Sequence, residues 1–521
     1  MSKEQNVFKS WIPDQIIVPL LVIALIPHIM ILSIFSMNST FTASFLDVDV
    51  DDIQFLFSIA YATIVCGLFI NVRFFQYFNI RNYCLFMTIL NILLLFGLTI
   101  TKNPQLILLF RVIQGPACLF EGCILLPLIM SRIKSDNAKI IAFSILYAIM
   151  LTGDKFTTYL VKFAIENYTH NMMIYAIMAF HLVALFIFVF IFSKGRLFPK
   201  KPLYQLNLGG IFLVMIALIS GAFTLIYGKR FYWFQSHYIV LSASFCMLSS
   251  GLFLFHQRFA KRPLFYFEVL KSKRVLVGLF MFMCFYILRA SMSNIYNVMS
   301  VVWRWEWQAI LNIQFYNVAG SLSGVITAAY LLTKKVNFKY IFVTGFLMLS
   351  LSMLWFSYLF VPDLNVKYII PVLYIQGFSQ GLLFTPLVLF MVGSVNASIA
   401  SSASHAGVTI RFWSNTIGFA IMQNSLLHLT TKHQSYMMKN LDVTNPMYHD
   451  KWNALIVKYT NNHLYNDAMN LTVSTIKNEI YHQALLITNI EIFRTLFVLS
   501  FLLVLGIIIY KPISQILIKK I

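Results

Sequence analysis

Charge is scarce in this chain. Of 521 residues only 11% are Asp, Glu, Lys or Arg, and only 18 are acidic. A soluble globular chain is about one-quarter charged, and one of this length would expose more polar surface than these residues supply. Cysteine is scarce too. Cys66, Cys84, Cys118, Cys123, Cys246 and Cys284 all fall in or at the ends of apolar runs. With no CxxC and no Cys/His spacing of the zinc type, they read as small core residues. No HExxH, Walker loop, GxSxG or GxGxxG stands in a fitting context, and no soluble stretch is long enough to house an ATPase. Neither an enzyme, a cofactor nor a metal site is expected. The amino-terminal segment lacks a small-residue cleavage site, and its first apolar run is too long for a signal peptide, so that span is expected to be retained.

What the chain has is apolar mass: 59% hydrophobic residues, 16% aromatic, with 50 Phe. A span needs about 20 mostly apolar residues. Fourteen such runs stand near 16–37, 53–72, 83–101, 104–130, 140–163, 172–193, 208–228, 237–256, 274–294, 310–333, 339–361, 367–394, 402–428 and 490–510. The fold class is therefore all-α and polytopic. The net charge of +21 points to positive cytoplasmic loops rather than to nucleic acid. Lys and Arg gather where an even span count with both termini in the cytoplasm puts the inner loops, for example Arg132, Lys134, Lys194, Arg196, Lys200, Lys271, Lys273 and Arg274. The acidic group Asp47, Asp49, Asp51 and Asp52 falls outside. Residues 429–489 form one long outer loop. Apolar residues at helical spacing from Ala468 to Ile487 predict a partly helical hairpin leading into the last span.

The basic connections 194–207 and 257–273 bracket two spans. They suggest an amino-terminal six-helix bundle over 1–200, an inserted pair over 201–270 and a second six-helix bundle over 271–521 that includes the outer loop. Ionisable groups at bilayer depth cost about 2.5–3.5 kcal/mol each on the insertion scale, which makes them the functional candidates. In the fourth run Arg111, Gln114, Cys118 and Glu121 lie within about 80° of one another on the helix face, and Glu121 stands about 15 Å along the axis from Arg111. The two cannot pair, so each needs a partner on another span. Glu121, Asp154 and Arg111 are the proton-coupling candidates; for Glu121 the plainer alternative is a buried carboxylate held by Lys155 or an Arg. Asp154 and Lys155, adjacent in the fifth run, point to different neighbours. Pairs of Asp154 with Arg111 and Lys155 with Glu121 are expected, either as a working charge network or as a static one. In run 13 Ser404, Arg411 and Asn415 share a face. Arg411 receives an anionic substrate group, balances an acid from the other half or makes a packing hydrogen bond. Gln114, Lys155, Arg289, Arg411 and Asn415 complete the charge-network and substrate-binding candidates. His28 and His181 stand alone on apolar faces and read as satisfied core histidines.

Three stretches resemble the major facilitator superfamily, and within it the fourteen-span drug:proton antiporter branch. Leu109-Phe110-Arg111-Val112-Ile113-Gln114-Gly115 is similar to the RxxQG motif, whose Arg the family associates with proton transfer. Gln376-Gly377-Phe378-Ser379-Gln380-Gly381 through Pro386, followed by Ala406-Gly407 and Arg411, resembles the Gly-rich span and its Arg-bearing successor. The long outer loop resembles that branch's outer hairpin. The chain departs from the family at Gly153-Asp154-Lys155, where a Gly-Pro signature usually stands, and at Val72 to Arg81, which keeps the basic character but not the glycines. The resemblance implies two six-helix bundles plus two extra spans and alternating access about a midplane site. It also implies proton-coupled efflux of a small molecule across an inner membrane. A facilitator or importer on the same fold and a non-transporting membrane component are the rival readings. The expected partners are a small-molecule substrate, protons and membrane lipid, with a periplasmic adaptor protein entertained as well and nucleic acid excluded.

Overall fold

The computed structural model describes residues 7–35, 42–43, 46–167, 171–196, 200, 202–203, 206–260, 263–396, 399–439, 441, 445–462, 464–510 and 513. The chain runs through α1 (Asp14–Ser33), α2 (Val50–Tyr77), α3 (Ile80–Ile100), α4 (Pro104–Arg132), α5 (Ala138–Asn167) and α6 (Asn171–Ile191). An adjacent pair follows, α7 (Leu208–Tyr227) and α8 (His237–Phe259). Next come α9 (Lys273–Ala290), α10 (Met292–Val301), α11 (Trp307–Thr333), α12 (Phe338–Leu359), α13 (Val366–Val392) and α14 (Ala400–Met438). The last are α15 (Pro446–Thr460) and α16 (Tyr465–Ile509). Each apolar run of the sequence falls mainly on one of these helices, several overrunning its end by a few residues; only the ninth divides, at Ser291, where α9 stops and α10 begins.

Thirteen of the spans, with α9 and α10 taken together, are long and apolar enough to cross a membrane. The remaining run, 402–428, lies in α14, whose Ser, Thr, His, Arg and Asn content lowers its hydropathy. Its polar side chains bond back to their own helix. Thr409 donates to His405 O at 2.9 Å, Ser414 to Ile410 O at 2.6 Å, Thr416 to Phe412 O at 3.0 Å and Asn424 to Ala420 O at 2.7 Å. Satisfied in this way, a polar helix can sit among apolar ones.

The packing of the first six spans recurs in the last six. α2 on α4, α3 on α6 and α1 on α5 reappear as α11 on α13, α12 on α16 and α9 on α14. The two sets meet reciprocally, α5 on α11 and α2 on α14. α7 packs on both α2 and α14, so the adjacent pair covers one side of this seam, and α8 faces outward, with Leu241, Phe245, Met247, Leu252 and Phe255 exposed.

In α11 and α13 the backbones touch. A Cβ at Gly320 or Gly324 would overlap the carbonyl oxygens of Tyr374 and Phe378, and one at Gly377 or Gly381 those of Asn317 and Ser321. This is reciprocal small-xxx-small packing. It is closed by Asn317, whose Nδ2 donates to Leu373 O at 2.9 Å and to Gln376 Oε1 at 2.5 Å.

At the end of the bundle away from the start of α1 and the end of α16, α14 and α16 continue as helix well past the spans. With 39 and 45 residues they reach about 58 and 68 Å at 1.5 Å per residue, against about 30 Å of hydrocarbon. The long loop is thus far more helical than the sequence pattern predicts. Thr430 and Thr488 (3.3 Å) and His433 and Glu491 (2.9 Å) join the two extensions, and Tyr459–Thr475 and Lys451–Glu479 clamp α15 onto α16.

Gly377→Val is expected to abolish the stable fold, because the overlap is with backbone and cannot be relieved by a rotamer change. Gly251→Ala, where an added Cβ meets no atom within 4 Å, is expected to leave the melting temperature within about 2 °C of the parent. Size-exclusion profiles and thermal melts of the two purified variants check both outcomes.

Candidate functional site

Arg111 is fully buried in α4. Its guanidinium donates to Ile31 O (3.1 Å) and Leu32 O (3.5 Å) at the end of α1, to Leu56 O of α2 (3.4 Å) and to Gln114 Oε1 (2.6 Å). The face of Phe35 lies 5.0 Å from its Cζ. Hydrogen bonds from a charged donor contribute about 1.5–3 kcal/mol each, so this set offsets an insertion cost of about 2.5–3.5 kcal/mol. The cation is held by dipoles. The expected pairing with Asp154 cannot be followed, since the Asp154 side chain lies outside the described residues.

Glu121, one helical stretch further along α4, is equally buried. It accepts from Thr88 Oγ1 and, at 2.8 Å, from Asn91 Nδ2, both on α3. His28 of α1 places Nδ1 3.6 Å from its Oε2, and His181 of α6 stacks obliquely on His28 with ring centroids 5.7 Å apart. The sequence reading of two solitary histidines is corrected here. Their helices are distant in sequence, but both turn toward the interior of the first six spans and meet at Glu121. The expected Lys155–Glu121 pair is not formed. Lys155, half-buried, sets its ammonium 5.1 Å from the ring centre of Tyr296 on α10, because its face of α5 looks toward the second set of helices.

A third group of polar residues sits on the seam. Arg411 of α14 donates from Nε to Gly407 O at 3.0 Å, and its guanidinium lies 5.6 and 5.8 Å from the rings of Phe282 and Phe384. The phenols of Tyr147 (α5) and Tyr286 (α9) interact with it, and Tyr61 (α2) lies within its electrostatic reach and that of Arg289. Phe384 of α13 closes the group, with Tyr147 at 4.7 Å and Phe285 at 5.7 Å. Asn415, one turn beyond Arg411, is half-buried. Side chains from both sets of spans therefore surround one cation with aromatic faces.

The seam is closed on either side of this cage. Phe69 and His405 stack at 4.9 Å toward the chain termini. Tyr159 donates to Leu311 O at 3.2 Å, and Gln308 Nε2 to Glu166 Oε1 at 2.7 Å, toward the hairpin. Near that end the acidic group also finds a role. Asp49 and Asp52 cap α2, Arg230 pairs with Asp49 at 2.8 Å, and Tyr227 donates to Asp52 at 2.5 Å, pinning α7 to α2. Sequence reasoning singled out Arg111, Gln114, Glu121 and Arg411, and the structure buries all four. The same reasoning missed the tyrosine and phenylalanine cage and the α3 donors Thr88 and Asn91, which carry no signal beyond being polar or aromatic in an apolar run.

Arg111→Ala removes the group that ties α4 to α1 and α2 and leaves a buried void, and is expected to cost about 2–4 kcal/mol. Arg111→Lys keeps the charge but not the fork and should fall between. Denaturant or thermal unfolding in detergent measures both, and equal stability of parent and Arg111→Ala would refute the anchoring role.

No protein-family model matches the chain. In sequence it is 22% identical over 306 residues to the probable multidrug resistance protein EmrY of Escherichia coli (strain K12), across 58% of this chain and 57% of that protein, so the likeness spans little more than half of the relative. In fold it is similar to a peptide transporter POT in complex with sulfate, with TM-score 0.54 and 12% identity over 97% of this chain and 99% of that one. It is also similar to the human organic anion transporter MFSD10, with TM-score 0.52 and 11% identity over 79% and 93%. By its helix arrangement, its repeated packing and these likenesses in fold, the chain is a multi-pass membrane protein with the major facilitator fold.

Proposed function

We propose that the chain exports a small molecule by alternating access, with protons moving the other way. The observation that carries this reading is the Arg411 cage on the seam, built by α2, α5, α9, α13 and α14. Rocking of the two sets of spans about such a cage exposes it first to one side and then to the other. Its chemistry suits a solute with a flat apolar face for Tyr61, Tyr147 and Phe384 and an acceptor or anionic group for Arg411. The likeness to a multidrug resistance protein over half its length and the Arg111–Gln114 motif favour export. Protons load on the buried carboxylate of Glu121 or, by its place in the sequence, on Asp154, while Arg111 and Gln114 hold α4 in register.

In this reading the six-two-six division places the residue ranges 1–200, 201–270 and 271–521 as bundle, insert and bundle. The membrane is an inner membrane with both termini cytoplasmic, as the loop charges ask. The helical hairpin of α14, α15 and α16 then stands in the periplasm. Its exposed Met447, Leu464 and Tyr465 offer apolar contact to a periplasmic adaptor.

The test is transport in vesicles with an imposed pH gradient, read as proton flux on adding candidate solutes. Arg411→Gln should lower solute-triggered flux at least about tenfold, since a charge-assisted contact at a buried site is worth more than about 1.4 kcal/mol, with normal expression and melting. Glu121→Gln or Asp154→Asn should uncouple solute movement from protons. Solute movement indifferent to the gradient in the parent chain would overturn antiport and favour a facilitator.

A further inference from the structure

We infer that His28, Glu121 and His181 form a buried binding site for a divalent first-row transition metal ion, with Zn²⁺ the reference case. One ligand atom from each of the three lies within 4.8 Å of the other two, and the residues are at most 3% exposed.

The donor set is prepared for coordination rather than for a simple hydrogen bond. His181 Nδ1 sits 3.0 Å from Ile177 O. Donation of the Nδ1 proton to that carbonyl leaves the Nε2 lone pair free, and Nε2 has no partner. A metal-bound imidazole is oriented in the same way. Both ring nitrogens of His28 are buried without a hydrogen-bond partner. Its Nδ1 stands 3.6 Å from the Glu121 carboxylate, beyond the 2.7–3.2 Å of an N–H···O bond. That spacing is close to the edge, about 3.4 Å, of a tetrahedron with bonds of 2.0–2.1 Å. Thr88 and Asn91 aim the carboxylate from behind, as outer-shell donors do. Gly122 gives the ring of His28 its room: an added Cβ would come within 3.3 Å of the imidazole.

Two neutral imidazoles and one carboxylate favour Zn²⁺ and its neighbours over Ca²⁺ or Mg²⁺, which prefer all-oxygen sites. Water would supply the fourth ligand. Such an ion ties α1, α4 and α6 together. The inference rests on this geometry and not on the proton reading. Where both hold, a proton and the ion are alternative occupants of Glu121.

The experiment uses the full chain, purified in detergent with a tag free of histidine and stripped by a chelator. Zn²⁺ is titrated by calorimetry and Co²⁺ by its visible absorption. The expected result is one ion per chain, a tetrahedral Co²⁺ band and a melting temperature raised by Zn²⁺. His28→Ala, His181→Ala and Glu121→Gln should each weaken binding at least about tenfold, whereas His433→Ala, at the exposed hairpin pair, should not. His28→Gln and His181→Gln, which keep the side-chain volume, replace any alanine variant that fails to fold. Less than half an ion per chain in the parent, or unchanged binding in the folded variants, would overturn the site. No gradient is imposed, so this failure is separate from loss of proton coupling.

Discussion

The hydrocarbon interior solvates neither a free backbone group nor an ionised side chain, and the rest of the structure follows from that constraint. The chain meets it with long helices, which satisfy their own backbones, and by folding every deep ionisable side chain whose surroundings can be followed against protein. Arg111 is wrapped by three carbonyl oxygens and Gln114, Glu121 by neutral donors, and Arg411 by a carbonyl and aromatic rings. A cation held by carbonyls avoids the rigidity of a buried ion pair, and a carboxylate held by neutral donors keeps the capacity to change its occupant. Polarity of the helix itself is handled in the same way. α14 is too polar to pass as a span on hydropathy, yet its hydroxyls return to its own carbonyls, and the helix lies on the seam.

The two sets of spans share a packing plan and differ in how it is filled. In the second, α11 and α13 interlock through four glycines, so backbone meets backbone and little can slide. In the first, the corresponding α2–α4 contact has Gly115 against Ala60 and Thr63, with the polar stripe of α4 alongside. The first set also gathers His28, Glu121, His181 and the α3 donors Thr88 and Asn91 between α1, α3, α4 and α6, away from the seam.

Most of the architecture was legible in the sequence because the signal for a span is large. Twenty apolar residues in a row suit a membrane crossing and little else, and the sign of loop charge orders them. The polar stripe of α4 was legible for the same reason, since Arg111, Gln114 and Glu121 sit on one helix and the 100° rotation per residue relates them without any tertiary knowledge. Contacts between helices were not legible. His28 and His181 belong to α1 and α6, and no periodicity within either helix reveals that they converge on Glu121. The pairing of Lys155 with Glu121 failed because the face of α5 that carries Lys155 turns to α10. The long hairpin is less legible because its helices are only weakly apolar and α15 buries no residue, which is a fainter pattern than a span.

The distance between the Glu121 cluster and the Arg411 cage sets what coupling requires. The two groups share no residue, so a change of occupant at Glu121 reaches the seam only through a succession of packed helices. α1 begins one such route and α5 completes it. His28 of α1 faces Glu121, and His28 O accepts from Cys118 Sγ at 2.8 Å. One turn later Ile31 and Leu32 are gripped by Arg111. Ser33 then meets Thr157 of α5 at 3.0 Å, and Ile29 packs where Gly153 has no side chain. α5 in turn supplies Tyr147 to the cage and Tyr159 to the closed seam. Contiguity of this kind provides a route and not an energy. Within this route α1 is the helix with the fewest backbone bonds of its own to hold it straight. Pro19 and Pro27 each remove a backbone hydrogen bond within it, and its far end is held by side chains of α4 and α5. A change at His28 therefore acts on a span that is tied to α4 through Arg111 and to α5 through Thr157.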